Sequence, residues 1–326
     1  MDIAVFSKTN LPGVIAALQS VAVDPLNLSA AEVAFLETLV AIHNTSLEIT
    51  SAQPAPPVAA TLTHPHRRKR LVQLAIAFAM LSGAVADQQM TRLESLARSL
   101  AVCEPRLGIL QQSRQGRRQA ARFSLMGQLM GRFWQAAWGE NGFKGLWLML
   151  APLLLNRGGQ NAALAERFER LQTLPPDTLG YRFWQHCKAN QLTFPGHSGA
   201  IPLRLVFHDF GHLLSGYGTD PLGEIQQGAF QAGFVREDGF AFLFFAILQF
   251  HWGAQITPVA PAHQGLFDPR LVLWALHRGA TCQVDLSASW DFWQVVEWPL
   301  DQVRDRYGIP TWDLCFERSK QEDKSR

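Results

Sequence analysis

The stretch from Phe207 to Phe230, FHDFGHLLSGYGTDPLGEIQQGAF, decides how the rest of the chain reads. It sets His208, Asp209 and His212 close together, and Glu224 follows a glycine-rich turn. Residues at i and i+4 lie about 40° apart around a helix, so both imidazoles reach one point. Asp209 sits roughly 100° from His208, at the margin of that face. Gly216 and Gly218 tolerate positive φ, Asp220 suits an N-cap, and Pro221 suits the first helical position. Glu224 then falls in the first turn of a second helix and can fold back toward the two rings.

Imidazole nitrogen with carboxylate oxygen suits Zn²⁺, Fe²⁺ or Mn²⁺, with Mg²⁺ also possible. Three protein ligands leave a position open for chemistry. The pattern differs from the zinc-protease H-E-x-x-H because its second residue, Asp209, is one methylene shorter. The bland alternative is an N-cap and a polar pair on a half-exposed helix. It accounts for the two histidines alone, but less well for Asp209, Glu224 and the built turn together. The expected ligands are His208, His212 and Glu224, with Asp209 as a fourth ligand or a proton acceptor.

These residues resemble the signature of the Coq4 family of ubiquinone biosynthesis. The shared pattern is His208-Asp209-x-x-His212, eleven residues, then Glu224, within the run Gly-Tyr-Gly-Thr-Asp-Pro-Leu-Gly-Glu. Upstream, Leu174-Pro175-Pro176-Asp177-Thr178-Leu179-Gly180 is similar to the family's LPxxTLG entry. Downstream, Ala275-Leu276-His277-Arg278-Gly279 and Trp290-Asp291 to Ile309 look like its closing helices. The resemblance covers about residues 165–313. It implies oxidative decarboxylation at ring carbon C1 of a prenylated 4-hydroxybenzoate, with a carboxylate replaced by hydroxyl. The alternative, a view also taken of that family, is a non-catalytic organiser that binds a prenyl lipid and presents it to other quinone-biosynthesis enzymes. A metal-dependent phosphohydrolase ranks last, because the further His and Asp residues of HD-type hydrolases are missing.

The chain has 326 residues, 48% hydrophobic and 17% charged, enough for two domains and a sizeable core. A net charge of +2 gives no general argument for nucleic-acid binding. The local run Arg67-Arg68-Lys69-Arg70 reads as a solvated helix start. Cys103, Cys187, Cys282 and Cys315 are far apart, which fits a reducing compartment and argues against a cysteine-zinc site or a disulfide framework. The N-terminus lacks a signal-peptide pattern. The longest apolar runs, Leu146 to Leu155 and Phe240 to Leu248, fall short of the ~20 residues of a spanning helix. A cytoplasmic protein, peripheral to the inner face of the membrane, is expected.

Apolar residues recur at helical spacing, no strand alternation stands out, and the class is all-α. Residues 29–43 read as a helix with Ser29 as cap and Glu32 completing a capping box. Prolines mark 51–66 as a linker or long loop, helices follow at 67–80 and 88–100, and 82–87 is a turn. This part resembles the TerB-like helical module of tellurite-resistance proteins. It keeps Asp87 and Glu94 but lacks that family's Asp-Gly, so it reads as an accessory domain. Further helices are expected at 161–173 and 176–187. The second motif helix is expected to continue through Phe240 to Phe250. A helix from Pro269 should end at Gly279, and a last one should run from Ser289 to Tyr307 with a kink or break at Pro299.

The domains are therefore 1–160, a smaller helical accessory domain, then 161–316, the Coq4-like domain, then 317–326, a charged tail. The stretch 133–155, rich in tryptophan and preceded by Arg114, Arg117, Arg118 and Arg122, reads as a core helix pair or as an interfacial segment. Tyr181 and Arg182 are candidates to meet a polar headgroup. His186, His197, His251, His263 and His277 show no metal-like spacing and read as hydrogen-bonded or surface histidines. Expected partners are a prenylated aromatic lipid, the membrane surface, other quinone-biosynthesis enzymes and a further copy of the chain in a homo-oligomer, with no nucleic acid.

Overall fold

The computed structural model describes residues 1–47, 49, 58–115, 124, 125, 127, 161–200, 202–256, 260–288 and 290–311. The 133–155 stretch and the charged tail lie outside these. The protein is all-α: the described residues form α-helices and short 3₁₀ turns, with isolated bridges but no strand. The first half holds α1 (Leu11–Ser20), α2 (Ala30–Ile42), the short α3 (Val58–Thr61), α4 (Pro65–Ala79), α5 (Asp87–Ser99) and α6 (Pro105–Arg114). The second holds α7 (Ala162–Glu169), α8 (Leu179–Ala189), α9 (Phe207–Ser215), α10 (Pro221–Phe234), α11 (Phe240–Phe250), α12 (Pro269–Thr281) and α13 (Leu300–Arg306).

Local chemistry sets the helix starts. The Glu32 N–H donates to Ser29 Oγ at 3.3 Å, and the Ser29 N–H to Glu32 Oε2 at 2.8 Å, which closes the expected capping box. Asp220 Oδ1 accepts the N–H groups of Leu222 and Gly223 at 3.0 and 3.1 Å, with Pro221 following at the first helical position. Gly216 ends α9 at φ +80°, a left-handed conformation that suits glycine. Gly218 has no positive φ; a Cβ there would lie 2.6 Å from Asp220 Oδ2, so it is room for the cap that requires glycine.

The core is built around α10, packed between α11 and α12. Phe230, Phe234, Phe240 and Phe244 are fully buried, each contributing about 1.5–3 kcal/mol relative to exposure. Several boundaries differ from the sequence reading: the helix expected at 176–187 spans Leu179–Ala189, and the expected linker 51–66 holds α3 and the start of α4. The second motif helix does not run on into Phe240–Phe250: it stops at Phe234, and Asp238 turns the chain at φ +50°. The apolar run is a separate helix, α11, most of it buried core. Nor does Gly279 end its helix, which continues to Thr281. Gly279 is where α12 crosses α10: a Cβ there would run into the Phe230 carbonyl, and one at Gly233 into the Leu276 carbonyl. The expected helix from Ser289 does not form over its first half: the described residues from 290 up to Pro299 hold only a 3₁₀ turn, Phe292–Gln294, and the helix proper, α13, starts after that proline.

The two halves share one hydrophobic core. Helix α2 packs on α12 and α4 on α11. Polar ties cross the join: Trp252 Nε1 donates to the Met80 carbonyl at 2.9 Å, and His251 Nε2 to that of Leu81 at 3.1 Å. Buried Arg106 pairs with Glu104 at 2.9 Å and with Asp238 in the turn after α10.

Candidate metal centre

Helices α9 and α10 bring His208, His212 and Glu224 together, with one ligand atom from each lying within 4.8 Å of the others. Glu224 approaches His208 Nε2 at 3.5 Å through Oε2 and His212 Nε2 at 3.4 Å through Oε1. The two Nε2 atoms are 3.2 Å apart. The His212 side chain is 2% exposed, that of Glu224 20% and that of His208 38%, so the cluster opens to solvent on the His208 side.

The far nitrogens fix the tautomers. His212 Nδ1 lies 3.1 Å from the Tyr217 carbonyl, which only accepts, so the proton is on Nδ1. His208 Nδ1 donates to Gln231 Oε1 at 3.0 Å. Both Nε2 lone pairs therefore face the Glu224 carboxylate with no donor among them. Three acceptors converging on one point need a cation. Oriented His–Nδ1 donors of this kind accompany metal ligation through Nε2.

Without a metal, a proton serves. Burial opposes a charged His208, but the hydrogen bond and charge of Glu224 outweigh it and raise the His208 pKa to about 9. Burial likewise opposes a charged Glu224, but hydrogen bonds from His208 and His212 prevail and lower its pKa to about 2.

A buried polar network holds the turn beneath the cluster. Gln227, fully buried, donates to the His208 carbonyl at 3.4 Å and accepts from Ser215 Oγ at 2.8 Å; Ser215 Oγ accepts the Tyr217 N–H at 3.2 Å. Arg278, 1% exposed, donates to Tyr217 Oη at 2.7 Å and to the Ser215 carbonyl at 3.0 Å. Tyr217 is thus packed inward and its carbonyl aimed at His212.

Asp209 is placed apart from the trio. Its Oδ1 lies 3.5 Å from Nε2 of His186 on α8, and the His186 ring stacks on His212 with centroids 5.9 Å apart. His186, read from sequence as an ordinary histidine, thus belongs beside the cluster. Its distance along the chain hides this, and so does that of Gln231, although Gln231 sits seven residues after Glu224 on the same helical face. His197 pairs with Glu169 at 2.8 Å on the surface.

An all-α fold carrying a two-histidine, one-carboxylate cluster is the class that fold and site define. No protein-family profile matches the chain, and no curated protein does. Among solved structures, the chain is similar to a Nostoc punctiforme PCC 73102 protein that bears the provisional name of a ubiquinone biosynthesis protein. The match is 17% identical with a TM-score of 0.32, covering 60% of this chain and 99% of that one.

Proposed function

We propose that the protein is a metal-dependent enzyme of ubiquinone or a related prenylquinone's biosynthesis. It would replace the C1 carboxylate of a prenylated 4-hydroxybenzoate by hydroxyl. The observation that carries the metal reading is the convergence of two Nε2 atoms and a carboxylate on one point while both Nδ1 atoms are engaged elsewhere. The substrate class is carried by the resemblance of the motif to the Coq4 family.

The residues fit a divalent ion: His208, His212 and Glu224 would hold it, and a bound ion would supply charge stabilisation for the departing carboxylate or redox chemistry with dioxygen. The chain's own residues do the rest. Gln231 and the Tyr217 carbonyl orient the imidazoles. Asp209 faces His186 and not the trio, which favours a proton acceptor over a fourth ligand. In the net reaction the ring–carboxylate bond breaks, CO₂ leaves, a ring–oxygen bond forms, and two electrons pass to an oxidant.

The deciding experiment is turnover by purified, metal-loaded protein given a prenylated 4-hydroxybenzoate under air. Asp209→Asn keeps size and hydrogen bonding but removes the charge. It should retain metal and lose activity by a factor on the order of 10² or more. No turnover by wild type, with full complementation of a deletion strain by Asp209→Asn, would favour the lipid-presenting organiser instead.

A further inference from the structure

A cavity of about 540 Å³ lies between α8, the turn at 216–219 and the start of α13. It adjoins the metal cluster through His212, whose ring forms part of its wall, but neither His208 nor Glu224 lines it. Its walls carry donors that the fold itself leaves unused.

Arg182 is exposed, and its guanidinium makes one hydrogen bond, to Gln185 Oε1 at 3.3 Å. Among the described residues no carboxylate lies within ion-pairing distance of it. Arg304 is already engaged, by Asp301 at 2.9 Å and by the carbonyls of Leu213 and Leu214 at 2.8 and 3.0 Å. The backbone N–H groups of Gly218 and Thr219 meet no acceptor among the described residues. Consecutive unpaired amides in a glycine turn form a concavity suited to an anion. His186, 8% exposed at its side chain, is already faced by Asp209 Oδ1 at 3.5 Å from its Nε2 and by the Asn190 amide at 3.4 Å from its Nδ1, so it contributes wall and not a free donor. Asp177 is the one acidic wall residue without a cation partner among those described. A single unpaired cation, with the Asp177 carboxylate opposing it, disfavours a polyanion, so the directed backbone donors must complete the site for a single compact anionic group.

We propose that this cavity binds a small molecule through one oxyanion, a carboxylate or a phosphate monoester. Arg182 supplies the charge, the amides of Gly218 and Thr219 supply directed donors, and the His186 imidazole lines the site behind them. Charge-assisted hydrogen bonds from a planar guanidinium are the strong component. The site stands without the metal: none of these donors is a ligand of the cluster.

The test is isothermal titration of the full chain with benzoate and, separately, inorganic phosphate. Saturable binding of at least one is expected. Arg182→Ala should weaken it at least tenfold with circular dichroism unchanged, since Arg182 is exposed. Arg170→Ala removes an exposed guanidinium paired with Glu166 at 2.8 Å and should change nothing. Benzoate alone assigns a carboxylate ligand, and phosphate alone a phosphate monoester. Chelator treatment should leave the binding intact, whether or not the cluster holds metal. Absence of saturable binding, equal binding by Arg182→Ala, or loss on chelation with the fold retained would each overturn the proposal; in the last case the anion sits on the metal.

Discussion

His208 Nε2 and His212 Nε2 face each other at 3.2 Å while both Nδ1 atoms donate elsewhere. Two neutral imidazoles so held repel through their lone pairs, so something positive belongs between them and Glu224. The first prediction is direct. Wild-type protein should carry one divalent ion per chain by elemental analysis. His208→Ala and Glu224→Ala should each lose it while keeping the helical circular dichroism spectrum, because neither residue belongs to the hydrophobic core. Unchanged stoichiometry in both variants removes the metal centre.

Metal uptake should depend on pH. In the metal-free protein the His208 pKa is raised to about 9, so at neutral pH a proton occupies the place of the ion. Binding must expel it. Apparent affinity should rise by about tenfold per pH unit up to pH ~9 and then level off, with one proton released per ion below that. Titrations in buffers of different ionisation enthalpy measure that release.

Stability of the metal-free protein follows the same groups. A His whose folded pKa is raised from 6.5 to about 9 contributes stability that is complete below pH 6.5 and lost as pH rises through 9. Glu224, lowered from 4.5 to about 2, contributes stability present above pH 4.5 and lost as pH falls through 2. The metal-free Tm should therefore decline between pH 6.5 and 9, and His208→Ala should flatten that decline. A slope unchanged in the variant would assign it to other groups.

Gln231→Leu removes the acceptor for His208 Nδ1 and leaves the ligands in place. Metal affinity should fall by about 10–100-fold, the usual effect of losing the group that orients a ligand imidazole. Competition with a chromophoric chelator reads this out.

Gly279→Ala should destabilise by about 1–3 kcal/mol, lowering Tm, because the added methyl meets the Phe230 carbonyl and not a flexible side chain. Gly223→Ala meets the Gly218 backbone and should behave alike. Gly108→Ala, with nothing near the new methyl, is the control.

Much of this was legible in the sequence because it is local. The capping box at Ser29, the Asp220–Pro221 start and the spacing of His208, His212 and Glu224 depend on residues within a few turns of one another. What sequence concealed is tertiary. His186 has no spacing relation to the motif, and only the packing of α8 on α9 sets it beside Asp209 and His212. Gly279 looked like a helix stop because C-terminal glycines are common; its true reason is a neighbouring backbone. The break after Phe234 has no sequence signal because the apolar run resumes within a few residues, and apolar residues on every side carry no phase.

Gly233 and Gly279 also govern how the site can move. Where α10 and α12 touch main chain to main chain, there is no layer of side chains to act as a lubricant. Sliding either helix by one residue would bring a Cβ against a carbonyl, so the pair is locked in register like two toothed racks. Glu224 rides on that rack. His208 and His212 ride on the shorter α9, tied to it through the Gln227 and Gln231 side chains. Because Arg278 on α12 also holds the Ser215 carbonyl and Tyr217 Oη, the same rack carries the end of α9, and both halves of the centre are referred to one helix.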